Sequence, residues 1–328
     1  MKKIAIMDTS IMSFNLGDKI IMESAREGLK DILDEAFVVD MPTHSPLFHV
    51  SEFSLRRIDA FQESLNSIDY KFVCGTNLLS KDMKKRKNVW NIKLRDTKYF
   101  NDYILVGVGT DDLTQIRNNY TRKLYSKALS HKFIHSVRDE KTKNMLEELG
   151  FKAVNTGCVT LWRLTRDHCK NITSKKSDRV VFTITDYCQD REKDSSMIRT
   201  LVDNYKEVYC WRQGILDEKY LAELNLGEYQ DNIKFIGSSL QAYTDFLNQM
   251  DCDYVGTRLH AGIKAMQCGR RTLIIGVDNR ARDIKETYDI NYLDRSKITK
   301  LESVVNSEFE TKIKINEGRI KTFLSQFK

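Results

Sequence analysis

The chain has 328 residues, more than one doubly wound domain usually holds and enough for two. Hydrophobic residues make up 41% of it, which excludes a disordered chain, and no apolar run reaches the roughly 18 residues of a membrane-spanning helix. The formal net charge of +7 favours anionic ligands or surfaces without choosing among nucleic acid, a phosphorylated small molecule and an acidic membrane face.

The elements are read from periodicity. Lys3–Met7 is a short apolar strand that turns polar at Asp8. It lacks the longer apolar stretch and small-residue cleavage site of a secretory signal, so a cytoplasmic protein is expected. Ile21, Ala25, Leu29 and Ile32 recur at helical spacing. Further strands are expected at Phe37–Val39, Tyr70–Cys74, Tyr103–Gly107 and Phe133–Val137, and a helix at Glu140–Leu149 that Gly150 stops. The pattern lapses over Lys170–Asp178, a polar stretch that serves as the candidate linker. It resumes with strands at Arg179–Ile184, Glu207–Trp211, Ile233–Ile236, Asp253–Gly256 and Thr272–Ile275. Helices fit Asp194–Tyr205, Leu240–Met250, Leu259–Cys268 and Ala281–Tyr288. One helical pattern closes the chain over Glu310–Lys328, with Gly318 inside it.

Strand–helix alternation of this kind predicts an α/β protein with parallel sheets. The domains are expected at 1–170 and 178–328, two Rossmann-like halves facing a cleft, with the C-terminal helix packing back on the first. Seven scattered cysteines form no C-x-x-C pair, which argues against disulfides and zinc and for buried thiols.

Ligands of open α/β sheets bind beyond the carboxyl ends of the strands, so the loops there carry the candidates. Asn15-Leu16-Gly17-Asp18 lies between the first strand and helix. It is either a helix start capped by Asp18 or a backbone cradle for an anion. Cys74-Gly75-Thr76-Asn77 is a turn or a second such loop. Arg138, in Ser136-Val137-Arg138-Asp139-Glu140, is placed to fork onto a carboxylate or phosphate, or to pair with its acidic neighbours. Gly256-Thr257-Arg258-Leu259-His260 is the strongest signal: either two cations gathering an anion at a helix N-terminus, where the dipole already favours one, or a plain helix start with a solvated Arg258 and a core His260. Gly276-Val277-Asp278-Asn279-Arg280-Ala281-Arg282 follows the next strand, with Asp278 or Asn279 as the helix cap in the plain structural reading.

Weaker candidates are His131 and His135, whose spacing suits a metal only on a helix whereas a strand is expected there, and the loop holding Pro42, His44, Pro46 and His49. The basic run Lys81–Lys87 is either a solvated face or a contact with an anionic membrane.

Asn15-Leu16-Gly17-Asp18, Ser136-Val137-Arg138-Asp139 and Thr257-Arg258-Leu259-His260-Ala261, in that order and followed by Ala265–Gly269, Leu273–Gly276 and Asp278, resemble the polysaccharide pyruvyl transferases. The resemblance implies two Rossmann-like domains of the glycosyltransferase-B kind. It implies transfer of a pyruvyl group from phosphoenolpyruvate onto two sugar hydroxyls as a cyclic ketal, in cell-surface glycan synthesis, without metal or nicotinamide. The acceptor would be a saccharide or lipid-linked oligosaccharide. Donor contacts would be Arg258, His260, Arg138, Asn15, Gly17, Asn77, Asp278 and Arg280. His260 is the candidate acid, and Asp18, expected from the opposite domain, the candidate base. The chain departs from its relatives at Gly157-Cys158-Val159, where they read Gly-Asp-Pro, and at Arg280 and Arg282, where they carry a lysine. The rival readings are a glycosyltransferase using a nucleotide sugar and an inactive relative that binds glycan. No nucleic-acid recognition motif occurs.

Overall fold

The computed structural model describes residues 1–48, 62–85, 90–110, 115, 116 and 118–327, with the backbone alone at 279–281 and 283. Its contacts fall into two units. The first comprises Met1–Ser13, Ile21–Trp162 and Asn316–Lys328, the second Phe14–Ile20 and Arg163–Ile315. The polar stretch Lys170–Asp178 thus lies inside the second unit, and the C-terminal helix is counted with the first.

In the first unit, β1 (Lys3–Asp8), β2 (Phe37–Pro42), β3 (Tyr70–Cys74) and β4 (Tyr103–Val106) form a parallel sheet in the order β2-β1-β3-β4. A parallel pair, β5 (His135–Val137) and β6 (Ala153–Asn155), continues beside β4 through the bridge of Val108 with Val137. Successive side chains of a strand point to opposite faces, and both faces here are apolar. Ala5, Met7, Val73 and Leu105 pack under Leu124, Tyr125, Met145 and Leu146. Ile4, Ile6, Phe72 and Ile104 pack with Ile21, Ala25, Phe323 and Phe327.

The second unit holds a six-stranded parallel sheet of β7 (Arg179–Thr183), β8 (Glu207–Cys210), β9 (Ile233–Phe235), β10 (Asp253–Gly256), β11 (Thr272–Gly276) and β12 (Tyr292–Asp294). Their order is β12-β11-β10-β7-β8-β9. β10 and β11 are buried along their whole length, as central parallel strands covered on both faces must be. Phe182, Val255 and Ile275 meet Met197, Ile198 and Leu201 on one face.

Several expected elements differ in their bounds: the strand expected at Phe133–Val137 is His135–Val137, and the helix expected at Asp194–Tyr205 is Arg191–Asn204. The C-terminal helix runs only over Glu317–Leu324, because Asn316 caps it by accepting from the Arg319 N–H at 3.0 Å. Ile313 is buried from the extended segment before it. The first helix starts at Leu16, with Asn15 rather than Asp18 supplying the capping oxygen, at 2.9 Å from the Gly17 nitrogen.

Candidate functional site

The carboxyl end of β10 is pressed against β7. A methyl at Gly256 would come within 2.7 Å of the Thr183 nitrogen, so the strand must end in glycine there. Thr257 then donates its N–H to Thr183 O at 3.0 Å, and its hydroxyl meets that of Thr185 at 2.8 Å. Arg258 follows with extended backbone just ahead of the helix Leu259–Gln267. Its carbonyl accepts from Tyr254 Oη at 2.7 Å.

The Arg258 side chain is 3% exposed. Its Nε donates to Ile184 O at 2.9 Å, and Nη2 donates to Asp186 Oδ1 at 2.6 Å and to Asp217 Oδ1. The Tyr187 ring lies over the guanidinium, 5.1 Å away. Nη1 donates to no described residue. One edge of the cation is thus used structurally. Two carboxylates offset the charge, so this arginine alone brings no net positive charge to the site.

Asp217 is fully buried. Besides Arg258 it accepts from the backbone N–H of Gln213 at 3.0 Å and of Gly214 at 2.7 Å. Burial pushes its carboxyl pKa up, with Arg258 opposing. These bonds shape the loop after β8, and the loop in turn holds the N-terminal segment of the same unit. Leu16 N donates to Gln213 O at 2.9 Å, Ile215 N to Phe14 O at 3.1 Å, and Gln213 Nε2 to Asn15 Oδ1 at 2.7 Å. A methyl on Gly17 would lie 2.8 Å from Gln213 Nε2 and would push that side-chain end aside. Asn15, Gly17 and Arg258 are therefore brought into one network by Gln213 and Asp217. His260 is the second residue of its helix and largely buried. Asp18 is half-buried in the first turn of the helix that starts at Leu16. The segment 14–20 is counted with the unit that holds His260, not with the opposite one as expected.

In the first unit, Arg138 and Asn77 meet over Gly109. A methyl on Gly109 would lie 2.6 Å from Asn77 Oδ1 and would overlap Arg138 Nε. The Gly109 backbone is fixed by Thr76 O and by Leu79 N, at 3.0 and 3.1 Å. Arg138 Nε lies 3.6 Å from Asp139, whose carboxylate caps the helix Glu140–Glu148 by accepting from Thr142 N at 2.7 Å.

A family model for polysaccharide pyruvyl transferases matches residues 15–279, a span that includes each of these loops. The chain belongs to this family. No curated protein matches. Among solved structures, UDP-GlcNAc 2-epimerase from Neisseria meningitidis is 14% identical with a TM-score of 0.51, covering 100% of this chain and 99% of its own. The UDP-GlcNAc 2-epimerase of Methanocaldococcus jannaschii is 12% identical with a TM-score of 0.51, covering 99% of both chains. These likenesses establish the fold: two Rossmann-like domains of the glycosyltransferase-B type.

Within this pyruvyl transferase fold the remaining candidates sort as follows. Asp278 is half-buried just before the helix Asn279–Tyr288. The Arg280 side chain lies outside the described residues, and Arg282 lies 3.6 Å from Asp294. Cys158 is buried and takes a bond from Thr160 Oγ1 at 3.1 Å. His135 is a core residue, with Nδ1 accepting from Leu105 N at 3.2 Å and Nε2 donating to Ser130 O at 2.9 Å. His131 stacks on Phe151 at 4.6 Å. His44 bonds Thr43 Oγ1 at 3.0 Å, and His49 lies outside the described residues. In the basic run, the Asp82 carboxylate accepts from Lys84 N and Lys85 N, while 86 and 87 are outside the described residues. Among the described residues no helix is long and apolar enough to cross a membrane.

Asp186, Gln213 and Asp217 escaped the sequence reading. Asp186 lies just beyond the carboxyl end of β7, where strand-end logic points. Gln213 and Asp217 carry no local signal, because their partners lie at 15 and 258.

Proposed function

We infer that this chain transfers a pyruvyl group from phosphoenolpyruvate to two hydroxyls of a saccharide, either a polysaccharide or its lipid-linked precursor. The observation that carries this reading is the setting of Arg258: a buried, fixed guanidinium with Nη1 unused by described residues, at the start of a helix in a member of this family. Such a group binds a phosphate or carboxylate without having to be ordered first.

The chemistry requires a proton on the methylene carbon of the enol phosphate, attack of one sugar hydroxyl on the adjacent carbon, and displacement of phosphate by the second hydroxyl. His260, at the helix N-terminus beside Arg258, is the proposed acid. The carboxylate and phosphate charges of a bound donor would hold it protonated against the helix dipole. Asp18 is the proposed acceptor of a hydroxyl proton. Phosphate leaves with its oxygens held by hydrogen bonds from Arg258 Nη1 and the helix N-terminal N–H groups. Arg138 with Asn77 offers a separate anion contact on the first unit.

Calorimetric titration with phosphoenolpyruvate and, separately, with UDP-GlcNAc tests the donor. Saturable binding of phosphoenolpyruvate alone is expected; binding of the nucleotide sugar alone would replace this reading with a glycosyl transfer. His260→Asn should bind phosphoenolpyruvate and release no phosphate in the presence of acceptor. Ordinary turnover by that variant would remove His260 as the acid.

A further inference from the structure

The segment that follows β7 wraps the Arg258 guanidinium. Ile184 O accepts from Nε at 2.9 Å, Asp186 Oδ1 accepts from Nη2 at 2.6 Å, and the Tyr187 ring centroid lies 5.1 Å from Cζ. The segment is pinned at its far end as well. There Arg295 Nη1 donates to Cys188 O at 2.7 Å, and Cys188 Sγ donates to Val277 O at 3.2 Å. Asp186 and Tyr187 are therefore held in place before any ligand arrives.

Both side chains keep surface that the protein does not use. Tyr187 is 55% exposed, so the guanidinium covers only part of its ring. Asp186 keeps 16% of its side chain exposed. Its Oδ2 accepts no hydrogen bond among the described residues and is open to solvent rather than sealed in the core.

The chemistry of this pair selects its ligand. An ionised carboxylate only accepts hydrogen bonds, so Asp186 repels an anion and takes an O–H or N–H donor. A cationic ligand would meet the Arg258 charge, which already lies under the ring and on the same carboxylate. What fits is a neutral molecule with hydroxyl groups and one apolar face. A pyranose ring is such a molecule: its hydroxyls line the edge, and its axial C–H groups form a face that stacks on an aromatic ring.

We propose that Asp186 and Tyr187 form the acceptor-sugar subsite, with one sugar hydroxyl donating to Asp186 Oδ2 and the C–H face of the same sugar on the Tyr187 ring. The carboxylate then bridges the two substrates, because its other oxygen is on Arg258, and it sets the sugar beside an anion that Arg258 holds. That this sugar receives a pyruvyl group rests on the function proposed above; that the pair binds a sugar does not.

The probes are the methyl pyranosides of glucose, galactose, mannose and N-acetylglucosamine, each titrated into the full chain without donor and followed by saturation-transfer NMR. Sorbitol is the control, a polyol with the hydroxyls and without the ring face. At least one pyranoside should bind saturably, with its strongest saturation at the axial C–H protons, and sorbitol should not. Tyr187→Ala should weaken that pyranoside about tenfold, and Tyr187→Phe, which keeps the ring, by less than about twofold. Asp186→Ala should weaken it about tenfold too, yet bind phosphoenolpyruvate at least as tightly as the parent, because a negative charge has left Arg258. The proposal is overturned if no pyranoside binds, if sorbitol binds as well, or if Tyr187→Ala and Asp186→Ala both bind the pyranoside as the parent does. Pyranoside binding that these variants lose, in a chain that does not bind phosphoenolpyruvate, would remove the donor reading and still support the sugar subsite.

Discussion

Arg258 and Asp217 form a buried ion pair in which the aspartate also fixes the backbone of Gln213 and Gly214. The second carboxylate on the same guanidinium nitrogen, Asp186, is the more exposed. Breaking a buried pair from one side strands the other charge and costs about 3–5 kcal/mol, whereas exposed pairs contribute about 1 kcal/mol or less. Asp217→Ala should therefore lower the urea midpoint by an amount matching the larger figure, and Asp186→Ala by one nearer the smaller, with the slope unchanged in both.

Asn15 separates folding from ligand binding. Asn15→Ala removes the side-chain oxygen that accepts from Gly17 N and Gln213 Nε2 and should cost about 1 kcal/mol, as a lost helix cap does. Asn15→Asp keeps that oxygen and suits the helix dipole, so its melting temperature should match the parent. Its added negative charge should nonetheless weaken phosphoenolpyruvate several-fold in calorimetry.

Gly109→Ala tests the first-unit anion contact. The new methyl overlaps Arg138 Nε and crowds Asn77 Oδ1, so the arginine must swing away. The displaced group is the far part of a flexible side chain, and the expected stability loss is about 1 kcal/mol, at the low end for added bulk. Turnover should fall at least about tenfold, the equivalent of about 1.4 kcal/mol in the transition state. A variant with full activity would exclude Arg138 from the reaction.

His135 makes a prediction about acid. Burial lowers its pKa from 6.5 to about 4, and its Nδ1 accepts from Leu105 N, so a proton there would displace that bond. The unfolded chain binds the proton at higher pH than the folded one. Stability is therefore complete above pH 6.5 and is lost as pH falls toward 4, by on the order of 3 kcal/mol. Urea midpoints taken across this window should decline with acid, and the decline should be shallower by that amount in His135→Gln.

The fold was legible wherever an apolar run fills a central strand. Asp253–Gly256 and Tyr70–Cys74 were read with their true bounds, because the apolar centres Tyr254-Val255 and Phe72-Val73-Cys74 each run into a glycine. The three-residue strands Ala153–Asn155 and Tyr292–Asp294 were not, since three residues show no period. Arg258 and His260 were legible from a strand end meeting a helix start. The carboxylates that hold Arg258 were not, because Asp217 acts across 41 positions and Asn15 meets Gln213 across 198. A cation at a helix N-terminus reads locally as an anion site or as a solvated side chain, and neither reading includes the buried carboxylates. The structure gives half of that guanidinium to the protein itself.

Phosphoenolpyruvate is the proposed donor. Incubating the purified chain with phosphoenolpyruvate and a panel of saccharide acceptors, while following inorganic phosphate and acceptor mass together, tests it most directly. The expected result is phosphate release that depends on acceptor, one phosphate for each acceptor that gains a pyruvate ketal, and loss of both signals in His260→Asn. Consumption of a UDP-sugar by the same acceptors, with phosphoenolpyruvate left intact, would contradict it.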